Sequence, residues 1–406
     1  MRSITSTVIS LATLALFATR GEAQGLPLDS LLAAHAHPVR MHSGTLSGEG
    51  LELILEAAAT SQFVLVAEEH NVGALADFSA ALFETLHTRF GFNYAALEQG
   101  GVITRWLSRA GRSGGCDSIS ALARRWPHAP TFATDEELAM IGRIVEVSTA
   151  DHDPAWGLDQ ELGALHILER LGEIAPSRSA RARALELAAV ARRYEASRTG
   201  DTLYLARVAV PGDFDDLPRL FDPAPGSEAE FLIASLQRTS RIYYNNTLAQ
   251  RGQPTGYENM RERERSMKTR FMEEYRRAQA TGDTLPRVLL KLGHWHTYRG
   301  IYRGNVPTFG NFASELAVAN GMDSFLMATW VIEGPDEWRN SSAFISLALP
   351  GEQFTLIDFR PLRPYAHQGM IAELSDVWKS LFFRADAALI IRGGGTGSYN
   401  ITGGSQ

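Results

Sequence analysis

Short aliphatic runs that alternate with long helical patterns set the terms on which this chain can fold. The segments Phe63–Glu68, Tyr94–Glu98, Trp156–Asp159, Val288–Gly293, Phe325–Trp330, Phe344–Leu349, Phe354–Phe359 and Ala387–Ile391 read as strands. Helical periodicity predicts helices over roughly Glu52–Thr60, Ala74–Phe90, Asp135–Thr149, Gln160–Thr199, Glu228–Gln250 and Tyr257–Thr281. Strands separated by helices need crossover connections, so the expected class is α/β with a largely parallel central sheet flanked by helices. Little helix lies between the last three strand candidates, which leaves room for an antiparallel part of the sheet. The spans 100–153 and 160–286 are too long for simple crossovers. They are expected as helical insertions capping the carboxyl ends of the strands, within a single domain over 26–395. Pro211, Pro218, Pro223 and Pro225 break the second insertion into two helical parts.

The strands share a peculiarity at one end. "VLVAEEHN" runs from buried-type aliphatics into Glu68, Glu69 and His70; "NYAALEQ" ends at Glu98; "AWGLDQE" ends at Asp159; "VLLKLGHWH" ends at His294 and His296. In parallel open sheets the ligand crevice lies outside the carboxyl ends of the strands, so these side chains are expected to converge. Alternation in extended backbone turns Glu68 and His70 to one face, and likewise His294 and His296. Glu69, on the opposite face, reads as a solvated or capping carboxylate. Imidazole next to carboxylate is the chemistry of a general base or a metal ligand with its orienting partner. For Asp159, which precedes a helical pattern, an N-cap role stands equally open. Glu98 can instead pair with an arginine, and one of His294 and His296 can be a structural histidine beside Trp295 and Tyr298.

The helix "YENMRERERSMKTRFMEEYRRA" places Met260, Met267 and Phe271 on an inward stripe, with Arg263 between them. An inward arginine needs an anion, and Glu68, Glu98 and Asp159 are candidates for it. Arg261 and Arg265 face outward. No Gly-x-Ser-x-Gly elbow, His-Glu-x-x-His helix or cysteine metal cluster occurs in the sequence. Cys116, the one cysteine, sits in "GRSGGCDS" and reads as a bystander in a loop. What remains is a histidine–carboxylate site that activates water directly or through a divalent ion.

Composition narrows the partners. The net charge is −7 and no basic block is paired with aromatics, which argues against nucleic acid and leaves a small molecule as the expected partner. The opening stretch, with Arg2, an apolar centre from Val8 to Ala18 and Gly21-Glu22-Ala23, reads as a signal peptide over 1–23. Its apolar centre falls short of the roughly 20 residues a membrane span needs, so no stable anchor is expected and the protein is expected to be periplasmic or secreted. The glycine-rich 396–406 reads as a flexible tail.

These motifs, in this order, resemble the erythromycin esterase-like proteins and their ChaN-like and Tiki-type relatives. "VLVAEEHNVGALADF" is similar to the Gly-Glu-x-His or Gly-Glu-x-x-His opening motif. "YAALEQ", "WGLDQE", "RERSM" at Arg263–Met267 and "KLGHWHTYRG" are similar to the later ones, and "PTFGNFASEL" follows in the place of a Met-Gly or Leu-Gly segment. Ala67 stands in place of the motif's glycine, and the Glu68–His70 spacing is closer to the ChaN and Tiki side. The resemblance implies an α/β sheet with helical insertions and a site made of His70, Glu68, Glu98, Arg263 and His296. It also implies a hydrolase in which His70 activates water for attack on an ester or lactone. Asp159, His294, Trp295 and Tyr298 are then expected to contact the substrate. The relatives imply two alternatives over the same crevice. One is a haem or small-ligand binding protein with Tyr257, Tyr298 or Tyr302 as contacts. The other is a metal-dependent protease with His70, Glu98 and His296 as ligands to a divalent metal.

Overall fold

In the strand Ser61–Glu68, Val64 and Val66 enter one hydrophobic core while Phe63, Leu65 and Ala67 enter another, all fully buried. A strand covered on both faces belongs inside a sheet with helices on either side. The computed structural model describes residues 25–196, 203–301, 304–334, 342–372 and 374–403. The expected signal peptide and Tyr302 lie outside the described residues.

The strands are β1 (Leu26–Pro27), β2 (Ala36–His42), β3 (Thr45–Ser47), β4 (Ser61–Glu68), β5 (Tyr94–Gly100), β6 (Ala155–Asp159), β7 (Val288–Gly293), β8 (Asp323–Ile332), β9 (Phe354–Asp358), β10 (Ile371–Ala372) and β11 (Ala387–Arg392). β1 and β10 form a short pair of their own, and the other nine make one sheet in the order β3-β2-β9-β11-β8-β4-β7-β5-β6. From β11 to β6 every pairing is parallel. β9 runs antiparallel to both β11 and β2, and β3 antiparallel to β2. This is the α/β class with a largely parallel sheet that the sequence predicts, with the antiparallel part confined to one side.

Helices Glu49–Thr60, Gly73–Phe90 and Asp135–Val147 cover one face. Helices Gly256–Ala280, Phe309–Ala319 and Asp376–Arg384 cover the other. A third core, built on Ile167, Leu168, Leu171, Leu187, Phe214, Leu232 and Leu236, lies within the second insertion. It includes Val102, just beyond the carboxyl end of β5, so the insertion packs at that end of the sheet. None of the described helices is long and apolar enough to cross a membrane.

Four local expectations need correction. Phe344–Leu349 is no strand: a helical turn, Ser342–Ile345, leads into turns there. The antiparallel place belongs to β2, whose "AHPVRMH" was hidden by Pro38. β3 pairs only with Arg40–His42, so Pro38 sits on an open stretch of edge where its missing N–H costs no ladder bond. The predicted helix 160–199 is two helices, Leu165–Glu173 and Arg178–Glu195, split at Pro176 and restarted by Ser177, whose hydroxyl accepts from Ala180 N–H at 3.1 Å. Cys116 is exposed in a helix kinked at Gly114 and Gly115, not in a loop.

The segment after β11 is a loop bonded to the rest of the molecule. Gly397 N–H donates to the Asn71 carbonyl at 2.8 Å, Gly73 N–H to the Gly395 carbonyl at 3.3 Å, and Val72 bridges Thr396. Beyond them, Asp135 N–H donates to the Ser398 carbonyl at 2.7 Å, and the Asp135 carboxylate accepts from Ile401 N–H at 2.9 Å and Asn400 N–H at 3.1 Å. This strap therefore joins the turn after His70 to the start of the helix Asp135–Val147.

Candidate active site

The carboxyl ends of β4, β5, β6 and β7 meet over one end of the sheet. Glu68 follows Val64 and Val66 by alternation, and Lys291 follows Leu289, so both reach toward the helix Asp135–Val147. There Lys291 Nζ donates to Glu68 Oε2 and, at 2.7 Å, to Glu137 Oε1. All three are buried. Burial pushes the Glu68 carboxyl up, but the Lys291 ammonium, followed by His70, outweighs it and holds Glu68 below the usual carboxylate range. Lys291 is lowered by burial and raised more strongly by Glu137 and Glu68, so it stays charged.

The opposite face supplies the helix Gly256–Ala280. Arg263 Nε donates to Asp159 Oδ1 at 2.9 Å, and its Nη2 donates to Asp159 Oδ2 at 2.5 Å and Glu98 Oε1 at 2.7 Å. Asp159 is thus no helix cap; it grips the guanidinium with both oxygens. Gly293 N–H donates to Glu98 Oε2 at 2.6 Å. Burial raises Glu98, yet His296, His70, Arg263 and the Gly293 N–H together bring it down to about 2.

Two imidazoles flank Glu98. His70 Nε2 stands 3.9 Å and His296 Nε2 3.7 Å from the same oxygen, Oε1. His70 Nδ1 lies 3.3 Å from Glu68 Oε1, and its ring stacks on Phe132 at 4.5 Å. Burial lowers the His70 pKa, but Glu98 and Glu68 win and push it up to about 9. The His70 side chain is 42% exposed, against 1% for Glu68 and 4% for Glu98. His296 is buried, and its Nδ1 faces Glu264 Oε1 at 2.6 Å. Glycine at 293 is a requirement of this closeness: a Cβ there would stand 2.8 Å from His70 Cε1 and 3.0 Å from Glu98 Oε2.

The expected residues divide accordingly. His70, Glu68, Glu98, Arg263 and His296 come together. Asp159 joins them as the partner of Arg263 and is too buried to contact a substrate. His294 parts from His296, because the chain turns at Gly293 into the short helix His294–Thr297, and their shared face is lost. His294 stacks between Tyr298 at 5.4 Å and Trp330 at 5.5 Å, and burial lowers its pKa to about 4, which leaves it neutral. Tyr298 is buried with it, and so is withdrawn from both substrate and haem; Trp295 is exposed. Glu69, rather than solvated, accepts from Val331 N–H at 3.2 Å. The sequence reading missed Lys291, Glu137 and Glu264. A lone lysine in an aliphatic strand needs a buried anion, and Glu264 lies three residues before Met267 on the inward stripe. Both signals were present.

Glu68, His70 and Glu98 offer ligand atoms within 4.8 Å of one another. As a metal cage they fit poorly. Glu68 Oε2 is bound by the Lys291 ammonium, and the two Glu98 oxygens by Arg263 and Gly293 N–H, so a divalent ion would displace or face two fixed cations. The donor set suits proton transfer.

No family model and no curated protein matches the chain. Solved structures do. A succinoglycan biosynthesis protein aligns at TM-score 0.58 and 14% identity, covering 92% of this chain and 98% of its own. A Bacillus cereus protein aligns at TM-score 0.55 and 13% identity, covering 92% and 98%. A histidine-to-asparagine mutant of the erythromycin esterase EreC, in its open conformation, aligns at TM-score 0.51 and 15% identity, covering 86% and 94%. The erythromycin esterase-like fold implied by the sequence motifs is therefore the fold of this chain.

Proposed function

We propose that this protein is a hydrolase that activates water with His70 and acts on an ester or lactone. The observation that carries the reading is that His70, the most open side chain of the cluster, is an imidazole set between two buried carboxylates. Neutral His70 takes a proton from water as the water attacks a carbonyl carbon. Glu68 at Nδ1 and Glu98 on the Nε2 side stabilise the imidazolium that forms. Arg263 spends Nε and Nη2 on Asp159 and Glu98; among the described residues Nη1 has no protein partner and is left to meet the oxyanion. His296 is too buried to touch substrate and acts through Glu98, in an orientation set by Glu264. The leader-like residues 1–23 support export to the periplasm or medium.

The test is hydrolysis of aryl esters and simple lactones by the purified protein. His70→Ala should lower kcat/KM by about 100-fold or more with the fold retained. Equal turnover by wild type and variant, or none by either, removes the proposal.

A further inference from the structure

The helix Gly256–Ala280 turns Arg263 inward and carries on its other side a groove of about 640 Å³, a size that suits a small organic ligand. The facing wall is apolar, with Val306 and Phe312, and Met272 lies on the helix side. Arg265, Lys268 and Arg276 line the same groove and, by helical geometry, fall with Met272 on one stripe. Arg265 and Arg276 are exposed, and among the described residues neither has an ion-pair or hydrogen-bond partner. Arg261, also in the lining, pairs with Glu258 at 2.5 Å. Against the lining carboxylates Glu264 and Glu273, the remaining three cations leave the groove net positive.

Glu264 adds a second requirement. It is 2% exposed, its Oε1 is taken by His296, and its Oε2 is buried without a hydrogen bond. Lys268 Nζ comes no nearer to that oxygen than 3.9 Å and donates instead to the Pro307 carbonyl. A buried carboxylate oxygen with no donor is costly, and a ligand hydroxyl entering beside Lys268 would supply one.

We propose that this groove is a second binding site, for a hydroxyl-bearing organic anion of the sugar-acid or sugar-phosphate class. The anionic group meets Arg265 and Arg276, a hydroxyl meets Glu264, and the apolar face of the ligand lies on Phe312 and Val306. Glu264 then joins the groove to the catalytic cluster through His296. The site goes beyond the hydrolase reading and is tested without turnover.

The experiment is calorimetric titration of the purified protein with glucuronate, glucose 6-phosphate, glucose and hexanoate, in wild type and in the Arg265→Gln/Arg276→Gln double variant. Saturable binding of a charged sugar is expected, weakened by at least about tenfold in the double variant with Tm unchanged. Which charged sugar binds tells carboxylate from phosphate recognition. Glucose and hexanoate should bind at least about tenfold more weakly than that sugar. The proposal is overturned if neither charged sugar saturates, if the double variant binds as tightly as wild type, or if glucose or hexanoate binds as tightly as the charged sugar. Because hydrolysis is not the readout, those outcomes leave the role of His70 untouched.

Discussion

Lys291 lies in an aliphatic strand, 2% exposed, between Glu68 and Glu137. Removing its charge strands two carboxylates in the interior. Lys291→Met is therefore expected to cost about 3–5 kcal/mol, read as a lowered urea midpoint; an unchanged midpoint would show that the pair bears no such weight. For His70 the consequence is kinetic. With a pKa near 9, only about one ring in a hundred is neutral at pH 7, so hydrolysis should climb roughly tenfold per pH unit and level off near pH 9. A rate that falls through pH 9 would instead make the imidazolium the working form. Glu68, His70, Glu98, Arg263 and His296 were legible in the sequence because each interrupts or closes an apolar pattern. Glu137 was not, since "DEELAM" hides it among the acids of a helix start, where any one of them reads as a cap or a solvated charge.

At the scale of elements, the site depends on close approach between strand ends. Gly293→Ala inserts a Cβ against His70 and Glu98, so turnover should fall at least about tenfold while far-UV circular dichroism stays unchanged. Wild-type kinetics in that variant would show that the ends have slack. The strap is the other determinant. Asp135→Ala removes the acceptor for Asn400 and Ile401, which should expose the segment after β11 to limited proteolysis and weaken catalysis together. Cleavage with full activity would uncouple the two. The six parallel strands were readable as aliphatic runs, and β7 was found at its true bounds. The antiparallel side was not, because β2 is half polar and interrupted by Pro38, and its existence depends on partners distant in sequence. The strap was unreadable for a similar reason: a glycine-rich segment states what backbone it permits, not what it bonds to.

For the whole molecule, buried charge sets a pH window. Glu98 and Glu68 have folded pKa values below their ordinary one, so their contribution is present above about pH 4.5 and is lost as pH falls, for Glu98 toward about 2. His70 is raised, so its contribution is complete below about pH 6.5 and is lost as pH rises through about 9. His294 and His166, lowered by burial, contribute fully above about pH 6.5 and lose stability below it, so thermal melts should give the highest Tm near about pH 6.5, below the pH at which turnover peaks; coincident optima would contradict the pKa ordering. The strap across the His70 turn also bears on biosynthesis. Strand β4 waits for its partners β7 and β8, and the loop that holds the imidazole acquires its last hydrogen bonds only when the segment beyond β11 has left the ribosome. A nascent chain would reach the His70 turn long before it could fasten it, so the setting of this imidazole waits on residues far along the chain.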